Sequence, residues 1–161
     1  MNLAELKIKI FGAGSIGNHL SHASRSLGWS VDLCDIESTA LDRARKQIYP
    51  GRYGQWDDAI GLFLNEQAPK GGYDLIFVGT PPDSHIPLAL EAIKEKPKAI
   101  LVEKPFCTPD LKGAQAIFDM ARKNGVAVFT GYDHVVGRAT EQFGEIVRSG
   151  NLGRIETLDV E

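Results

Sequence analysis

A string of three glycines is the part of this 161-residue chain whose residue types and spacing most clearly suggest chemistry. Gly12, Gly14 and Gly17 stand between a short apolar run and a segment with helical periodicity. A tight turn there would point the free N–H groups of a helix N-terminus, with about half a positive charge, at a bound anion. Asp35 stands 18 positions after Gly17, at the end of the next apolar run. Together these features predict a site for a dinucleotide.

Each residue of the glycine string is expected to have its own task. Gly12 permits the turn, Gly14 lets the backbone approach the pyrophosphate, and Gly17 allows the helix to pack closely on the strand. Ser15 and Ile16 complete the pyrophosphate-binding turn. The alternative interpretation is a strand-to-helix turn that binds no nucleotide.

Asp35 is expected to accept hydrogen bonds from the hydroxyl groups of the adenosine ribose, and its charge would repel the 2′-phosphate of NADP. The sequence therefore favours NAD over NADP as the cofactor. Asp35 could instead merely end a strand. Arg43 and Arg45 could serve a 2′-phosphate, but they stand on the following helix rather than directly after Asp35.

Alternating strands and helices are expected to position these residues. Strands are predicted over residues 7–11, 30–34, 74–79, 99–103, 126–130 and 155–160, with a weaker candidate over residues 53–56. Helices are predicted over residues 16–27, 38–47, 57–67, 87–94, 109–124 and 138–149. This alternation, with right-handed crossovers, implies an α/β fold with a doubly wound, mostly parallel Rossmann sheet. Ligands of such sheets bind at the carboxyl ends of the strands.

Cap residues and prolines set two of the predicted helix limits. Ser38 can N-cap the helix over residues 38–47, and Tyr49-Pro50-Gly51 is expected to break it. Thr108 is expected to N-cap a helix with Pro109 at its first position, because that position needs no N–H donor.

Three segments that follow later strands carry a resemblance to a known family. They read Gly-Thr-Pro-Pro-Asp-Ser-His over residues 79–85, Glu-Lys-Pro over residues 103–105 and Gly-Tyr-Asp-His over residues 131–134. With the glycine string, they make the chain resemble the glucose-fructose oxidoreductase, inositol dehydrogenase and MocA (Gfo/Idh/MocA) family. The resemblance implies an NAD(P)-binding domain at residues 1–136. Residues 137–161 would be the linking helix and first strand of the family's second, α+β domain, which is otherwise absent.

By this resemblance, the residues after the strand over residues 99–103 stand at the reacting end of the cofactor. Lys104 would lie near the nicotinamide and the reacting hydroxyl of the substrate, as a proton donor or acceptor or as an electrostatic guide. Glu103 would contact the nicotinamide ribose, with pairing to a nearby cation as the alternative. Pro105 would follow a cis peptide bond.

The other two segments are implied to lie along the same cofactor. Thr80 and Pro81 would line its groove, and His85 would cap the following helix or contact the cofactor. Tyr132 belongs to a segment that lies close to the nicotinamide in the family. The same segment continues with two valines where the family has a basic residue and an aromatic one, so the role of His134 is left open.

The resemblance implies an NAD(P)-dependent oxidoreductase that transfers a hydride between nicotinamide and a hydroxyl-bearing carbon of a sugar, cyclitol or similar polyol. Much of the substrate pocket would belong to the absent domain, so this chain alone is expected to be inactive and the full-length form to be a homo-oligomer. A non-catalytic dinucleotide-binding module or sensor is the alternative. A further alternative keeps the fold but uses transient oxidation for elimination or hydrolysis of a glycoside.

Charge and composition argue against other partners. The net charge of −3, with lysines and arginines scattered among acids, offers no basic face for nucleic acid. No apolar run approaches the roughly 20 residues that cross a bilayer, and the first residues do not form a secretory signal. Cys34 and Cys107 lack metal-ligand spacing, so we predict no metal site and two reduced thiols in a cytoplasmic protein.

Overall fold

Six parallel strands of the chain form one sheet. A computed structural model describes residues 5–157 and residue 159, apart from the side chains of residues 133 and 134. In chain order the strands are β1 (Lys7–Phe11), β2 (Ser30–Asp35), β3 (Ile60–Leu64), β4 (Leu75–Val78), β5 (Ala99–Glu103) and β6 (Ala127–Gly131). They lie in the order β3-β2-β1-β4-β5-β6, and each neighbouring pair is parallel. The predicted doubly wound sheet is therefore confirmed.

Helices connect the strands. They are α1 (Ser15–Ser26), α2 (Ser38–Arg43), α3 (Tyr49–Tyr53), α4 (His85–Lys94), α5 (Ala114–Asn124) and α6 (Arg138–Arg148). A π-helical segment, Ala44–Ile48, joins α2 to α3, and 3₁₀ turns occupy Pro82–Ser84 and Asp133–Val136. Within the described part of the chain, no helix is both long enough and apolar enough to cross a membrane.

Apolar side chains cover both faces of the sheet. Ile8 and Ile10 of β1 belong to a buried cluster that also contains residues of α2, among them Leu41. Phe11 belongs to a second buried cluster, with α4 and α5 residues such as Ile93. Burial on both faces explains why the central strands are apolar along most of their length rather than alternating with polar residues.

Lys9 interrupts the apolar run of β1, yet its side chain is fully buried. Its ammonium lies 2.7 Å from the Glu95 carboxylate and 2.6 Å from the Pro69 carbonyl oxygen. It also lies 4.5 Å from the centre of the Tyr73 ring. A charge removed from water must be paired and hydrogen-bonded, so this ion pair fixes the C-terminal end of α4 to the centre of the sheet.

The helical segment after β2 runs further than predicted. The expected stop at Tyr49-Pro50-Gly51 is wrong, since helical structure continues from α2 through the π-helical segment to the end of α3. Pro50 lies in the first turn of α3, where a missing N–H donor is tolerated. The prediction that Ser38 N-caps this helix is also wrong. Glu37 precedes α2 as the N-cap residue, and no side-chain hydrogen bond caps the helix.

The third strand stands where a helix was predicted. β3 occupies part of the predicted helix over residues 57–67, and residues 53–56 form no strand. A five-residue apolar run is compatible with a buried strand and with a buried helical segment, and pairing with β2 decides between them. Ile60 lies opposite Val31. Gly61 contributes to this pairing, because a Cβ atom there would collide with the Asp32 carboxylate on β2.

The start of α5 and the last predicted strand also differ from the predictions. The prediction that Thr108 N-caps this helix is wrong, because α5 begins at Ala114 with Gly113 as its N-cap residue. The Thr108 hydroxyl instead bonds the Asp110 carboxylate at 2.6 Å, and Gly113 adopts a φ of 82°. These features turn the chain before the helix starts. Residues 155–157 and 159 are not in a strand, and the rest of that predicted strand lies outside the described residues.

The chain divides into two compact units, Met1–Gly131 and Tyr132–Glu161. The first contains the whole sheet. The second contains the 3₁₀ turn Asp133–Val136 and α6. The domain limits of residues 1–136 and 137–161 stay a prediction.

The burial of Cys34 at the end of β2 makes a test of this packing. Burial raises the pKa of the Cys34 thiol to about 12, so the reactive thiolate is scarce near neutral pH. We expect iodoacetamide at slightly alkaline pH to modify the half-buried Cys107 and to spare Cys34 until the chain is unfolded. Peptide mass spectrometry measures both sites, and rapid alkylation of Cys34 in the folded chain would contradict this packing.

Candidate functional site

A groove of about 540 Å³ lies at the carboxyl ends of the central strands. The strand order reverses here, with β1 between β2 and β4, and ligands of open α/β sheets bind at such points. The lining residues come from the turns after four strands and from two helices: Gly12, Gly14, Asp35, Ile36, Glu37, Ala40, Arg43, Asn65, Gly79, Thr80, Pro81, Ser84, Pro87, Leu88 and Glu91. The groove thus brings together five of the predicted site residues: Gly12, Gly14, Asp35, Thr80 and Pro81.

Gly12 and Gly17 are required by the packing of the protein itself. Gly12 has a φ of 100°, and a Cβ atom on it would lie 2.8 Å from the carbonyl oxygen of Gly79. A Cβ atom on Gly17 would overlap the carbonyl oxygen of Gly12. The first turn of α1 can therefore lie against the turn after β1 only because residue 17 has no side chain, as predicted for close helix-to-strand packing.

Gly14 differs from these two glycines. Its backbone is extended, with a φ of −77° that any residue can adopt. A Cβ atom there would meet no protein atom within 4 Å. Neither its backbone nor its neighbours require glycine at this position, so the free space beside Gly14 is available to a ligand that approaches the backbone from the groove.

The N-terminus of α1 carries an uncompensated positive pole. In the described part of the chain, no side chain caps this helix end, and its first turn contains no acidic residue. Asn18 is the first residue of this helix whose backbone N–H donates to a carbonyl oxygen of the helix, that of Gly14 at 3.1 Å. The N–H groups of the three preceding helical residues, Ser15, Ile16 and Gly17, are therefore directed beyond the helix end, where an anion can accept their hydrogen bonds.

Asn18 holds the glycine turn in place and escaped the sequence prediction. Its side chain is fully buried, and Nδ2 donates to the carbonyl oxygens of Ala13 at 2.9 Å and Gly14 at 2.8 Å. The sequence contained one signal for this role, because an amide side chain stands directly after Gly17, in the first turn of the predicted helix. The turn is thus fixed by a buried amide as well as by its glycines.

Asp35 fixes the same turn from the neighbouring strand. One carboxylate oxygen accepts the N–H of Ala13 at 2.7 Å, and the other accepts the N–H of Glu37 at 3.0 Å. Each carboxylate oxygen has a second lone pair. Asp35 can therefore support the turn and still accept hydrogen bonds from a ligand in the groove that it lines.

Only one of the two arginines considered for a 2′-phosphate lies at the groove. Arg43 lines it near Asp35. Arg45 lies 3.3 Å from the carboxylate of Asp58. The sequence did not distinguish them, because both stand on the same helical segment.

Thr80 and Pro81 form the opposite side of the groove and are held by two polar side chains. The Ser84 hydroxyl lies 2.7 Å from Thr80 Oγ1 and 2.8 Å from the Pro81 carbonyl oxygen. His85 is fully buried, with Nε2 2.6 Å from the Thr80 carbonyl oxygen and Nδ1 2.8 Å from the Pro105 carbonyl oxygen. The two ring nitrogens therefore face the backbone carbonyl oxygens of two different loops.

His85 therefore links the loop after β4 to the loop after β5. It is the first residue of α4 and does not cap that helix with its side chain. It is also absent from the groove lining among the described residues. A direct contact between His85 and a cofactor stays a prediction.

Glu103 and Lys104 stand at the end of β5, outside the groove lining. The Glu103 carboxylate fills the space beside Gly131, where a Cβ atom would collide with it. Lys104 is exposed, and no carboxylate of the described residues lies within ion-pair distance of its ammonium. The Lys104–Pro105 peptide bond is cis, as the resemblance implied.

Tyr132 begins the second unit and is 56% exposed. Its predicted place beside the nicotinamide stays a prediction. The side chain of His134 lies outside the described residues.

One family and one curated protein match this chain over most of its length. A family described as an oxidoreductase family with an NAD-binding Rossmann fold (GFO_IDH_MocA) matches residues 6–132. D-glucoside 3-dehydrogenase of Escherichia coli (strain K12) is 25% identical over 158 residues, which are 96% of this chain and 42% of that protein.

Solved structures share the fold. The apo scyllo-inositol dehydrogenase from Lactobacillus casei has a TM-score of 0.74 and 16% identity, covering 96% of this chain and 44% of that one. The WlbA dehydrogenase from Bordetella pertussis, in complex with NADH and UDP-GlcNAcA, has a TM-score of 0.69 and 19% identity, covering 94% of this chain and 44% of that one. This chain thus spans less than half the length of these relatives. Because the family match extends over most of its residues, the chain belongs to the Gfo/Idh/MocA oxidoreductase family and contains its NAD-binding Rossmann fold.

Proposed function

We propose that this chain is the cofactor-binding part of an oxidoreductase that transfers a hydride between a nicotinamide dinucleotide and a hydroxyl-bearing carbon of a sugar, cyclitol or similar polyol. One observation carries the proposal. Gly14 leaves open space at an uncapped helix N-terminus, in the same groove as Asp35. This combination fits a pyrophosphate and a ribose joined in one ligand.

The helix end beside Gly14 and the acceptor Asp35 in the groove lining fit the two ends of an ADP moiety, although Ser15, Ile16 and Gly17 are themselves outside that lining. The N–H groups of Ser15, Ile16 and Gly17 would donate to the pyrophosphate, which can approach closely because Gly14 has no side chain. Asp35 would accept from the hydroxyl groups of the adenosine ribose. Its charge disfavours a 2′-phosphate, so we propose NAD rather than NADP. Arg43 is the one feature of the lining that would favour NADP.

The nicotinamide ring supplies the hydride chemistry when the cofactor is bound. Thr80 and Pro81 would lie along the cofactor, and Glu103, Tyr132 and His85 would contact it or position the loops around it. Lys104 would hold or deliver the proton of the substrate hydroxyl at Nζ. Its exposed ammonium, free of carboxylate partners among the described residues, suits that task. Support for the substrate class comes from the similarity to the D-glucoside 3-dehydrogenase and the scyllo-inositol dehydrogenase.

We also propose a cytoplasmic location and, for the full-length form, a homo-oligomer. Both cysteines are free thiols, which suits a reducing compartment. The oligomer rests on the family resemblance, in which the second domain forms the subunit contact.

Two glycine variants test the pyrophosphate site. Gly14→Val is expected to weaken NADH binding about tenfold or more, because its side chain fills the space that the pyrophosphate needs. Its melting temperature should change little, since no protein atom lies near the new side chain. Gly17→Ala is the matched control and should lower the melting temperature through its collision with Gly12. NADH fluorescence and thermal unfolding measure the two effects, and full NADH affinity in Gly14→Val would refute the site.

The preference for NAD is tested at Asp35. Asp35→Asn should weaken NADH binding and raise the affinity for NADPH relative to NADH by about tenfold, because the repulsive charge is gone. Adding Arg43→Gln should remove that gain if Arg43 binds the 2′-phosphate. Titration of both cofactors measures the ratio. An unchanged ratio in Asp35→Asn, with an unchanged melting temperature, would contradict the proposed role of Asp35.

The oxidoreductase activity is tested by NADH formation with a panel of polyols and sugars, for this chain and for the full-length product of its gene. In the active form, Lys104→Met should reduce turnover by about a hundredfold or more while NADH affinity stays nearly constant. Loss of NADH affinity with unchanged turnover would reject the role of Lys104. Cofactor binding without turnover of any substrate in either form would favour a non-catalytic module.

A further inference from the structure

Arg52 reaches the glycine turn from an element that has no predicted part in the site. Its guanidinium donates from Nη1 to the Ser15 carbonyl oxygen at 2.9 Å and from Nη2 to Ser15 Oγ at 2.7 Å. Arg52 stands on α3, 37 positions further along the chain. The position of Arg52 beside Ser15 depends on the helical structure that continues past Pro50.

Ring contacts hold α3 against α1 and so fix the base of this side chain. The Tyr53 ring stacks on His22, with centroids 3.8 Å apart and planes 4° from parallel. The Tyr53 hydroxyl also lies 3.0 Å from Nδ1 of His19. Arg52 therefore extends from a fixed helical turn toward Ser15, and the guanidinium is partly preorganised.

The Arg52 guanidinium is exposed and would be stabilised by a bound anion. A helix N-terminus is a positive pole, and a cation placed beside it is repelled. The first turn of α1 has no acidic residue. Among the described residues, no carboxylate lies within ion-pair distance of Arg52. The Asp35 carboxylate supports the turn through the N–H of Ala13, and no described carboxylate pairs with the guanidinium itself.

The contact also directs the hydroxyl of Ser15. A serine hydroxyl donates one hydrogen bond and accepts up to two. Because Ser15 Oγ accepts from Nη2 of Arg52, its hydroxyl can donate its own proton to a further acceptor on a ligand. Phosphate oxygens are such acceptors, and the guanidinium itself suits phosphate geometry.

We propose that Arg52, together with the Ser15 hydroxyl that it orients, binds the pyrophosphate of the dinucleotide. This inference rests on the proposed function. The pyrophosphate is favoured over a 2′-phosphate because Arg52 contacts the start of α1, whereas the ribose end of the groove is marked by Asp35 and Arg43. Arg52 adds a fixed positive charge to a turn that otherwise binds through backbone N–H groups.

The test compares Arg52→Gln with Arg45→Gln, an arginine of the same helical segment that pairs with Asp58 instead. Arg52→Gln is expected to weaken NADH, NADPH and ADP-ribose binding by a similar factor of about ten, because all three carry the pyrophosphate. Adenosine, which lacks phosphates, should bind the variant and the unaltered chain equally. The dependence of NADH affinity on salt should also become weaker. Arg45→Gln should change none of these values.

Each other outcome has a definite meaning. Unchanged NADH affinity in Arg52→Gln would overturn the inference and leave the contact as a link between two helices. A loss confined to NADPH would assign Arg52 to the 2′-phosphate and would also overturn it. A variant that loses adenosine binding and melting temperature together would show a structural role instead. If the unaltered chain binds no NADH, the proposed function fails and this inference fails with it.

A double-variant cycle tests the part played by Ser15. If Arg52 acts partly through the Ser15 hydroxyl, then Ser15→Ala combined with Arg52→Gln should weaken NADH binding by less than the product of the two single effects. Arg52→Lys should restore only part of the affinity, because an ammonium cannot make both contacts in one plane. Strictly multiplicative effects would refute the coupling through Ser15.

Discussion

The close approach of α1 to the turn after β1 depends on two missing side chains. A Cβ atom on residue 17 would overlap the carbonyl oxygen of Gly12, and residue 12 itself adopts a φ of 100° against the backbone of Gly79. Any other residue at position 17 would push the helix away from the sheet. The positive end of α1, the buried amide of Asn18 and the Asp35 carboxylate can meet at one turn only because this contact is so short. The groove is the result of that packing.

From this turn, fixed contacts extend across the sheet. Ser84 and His85 hold the loop after β4. His85 also contacts the carbonyl oxygen of Pro105, the residue after Lys104. The groove proposed to hold the cofactor and the residue proposed to handle the proton are therefore joined through the buried side chain of His85. On the other side, Arg52 connects α3 to the same helix end. Catalysis by positioning requires rigid links of this kind.

Much of this could be predicted from the sequence because it is encoded locally. The glycine string, the acidic residue after β2 and the apolar runs of β1, β2, β4 and β5 are short patterns with strong physical causes. The region between residues 47 and 67 could not be predicted in this way. Its apolar run is compatible with helix and strand, and the choice depends on pairing with β2 and on the space that Gly61 leaves for Asp32. Asn18 and Arg52 were missed because their partners are backbone atoms or lie far away along the chain, and neither kind of contact leaves a periodic signal.

We propose that a dinucleotide binds with its pyrophosphate at the start of α1 and its adenosine ribose at Asp35. Amide NMR spectra of the ¹⁵N-labelled chain during titration with NAD test this most directly. We expect the largest shifts at the amides of Ser15, Ile16 and Gly17 and around Asp35, and we expect ADP-ribose to reproduce them. Shifts confined to other parts of the sheet, or none at saturating NAD, would contradict it.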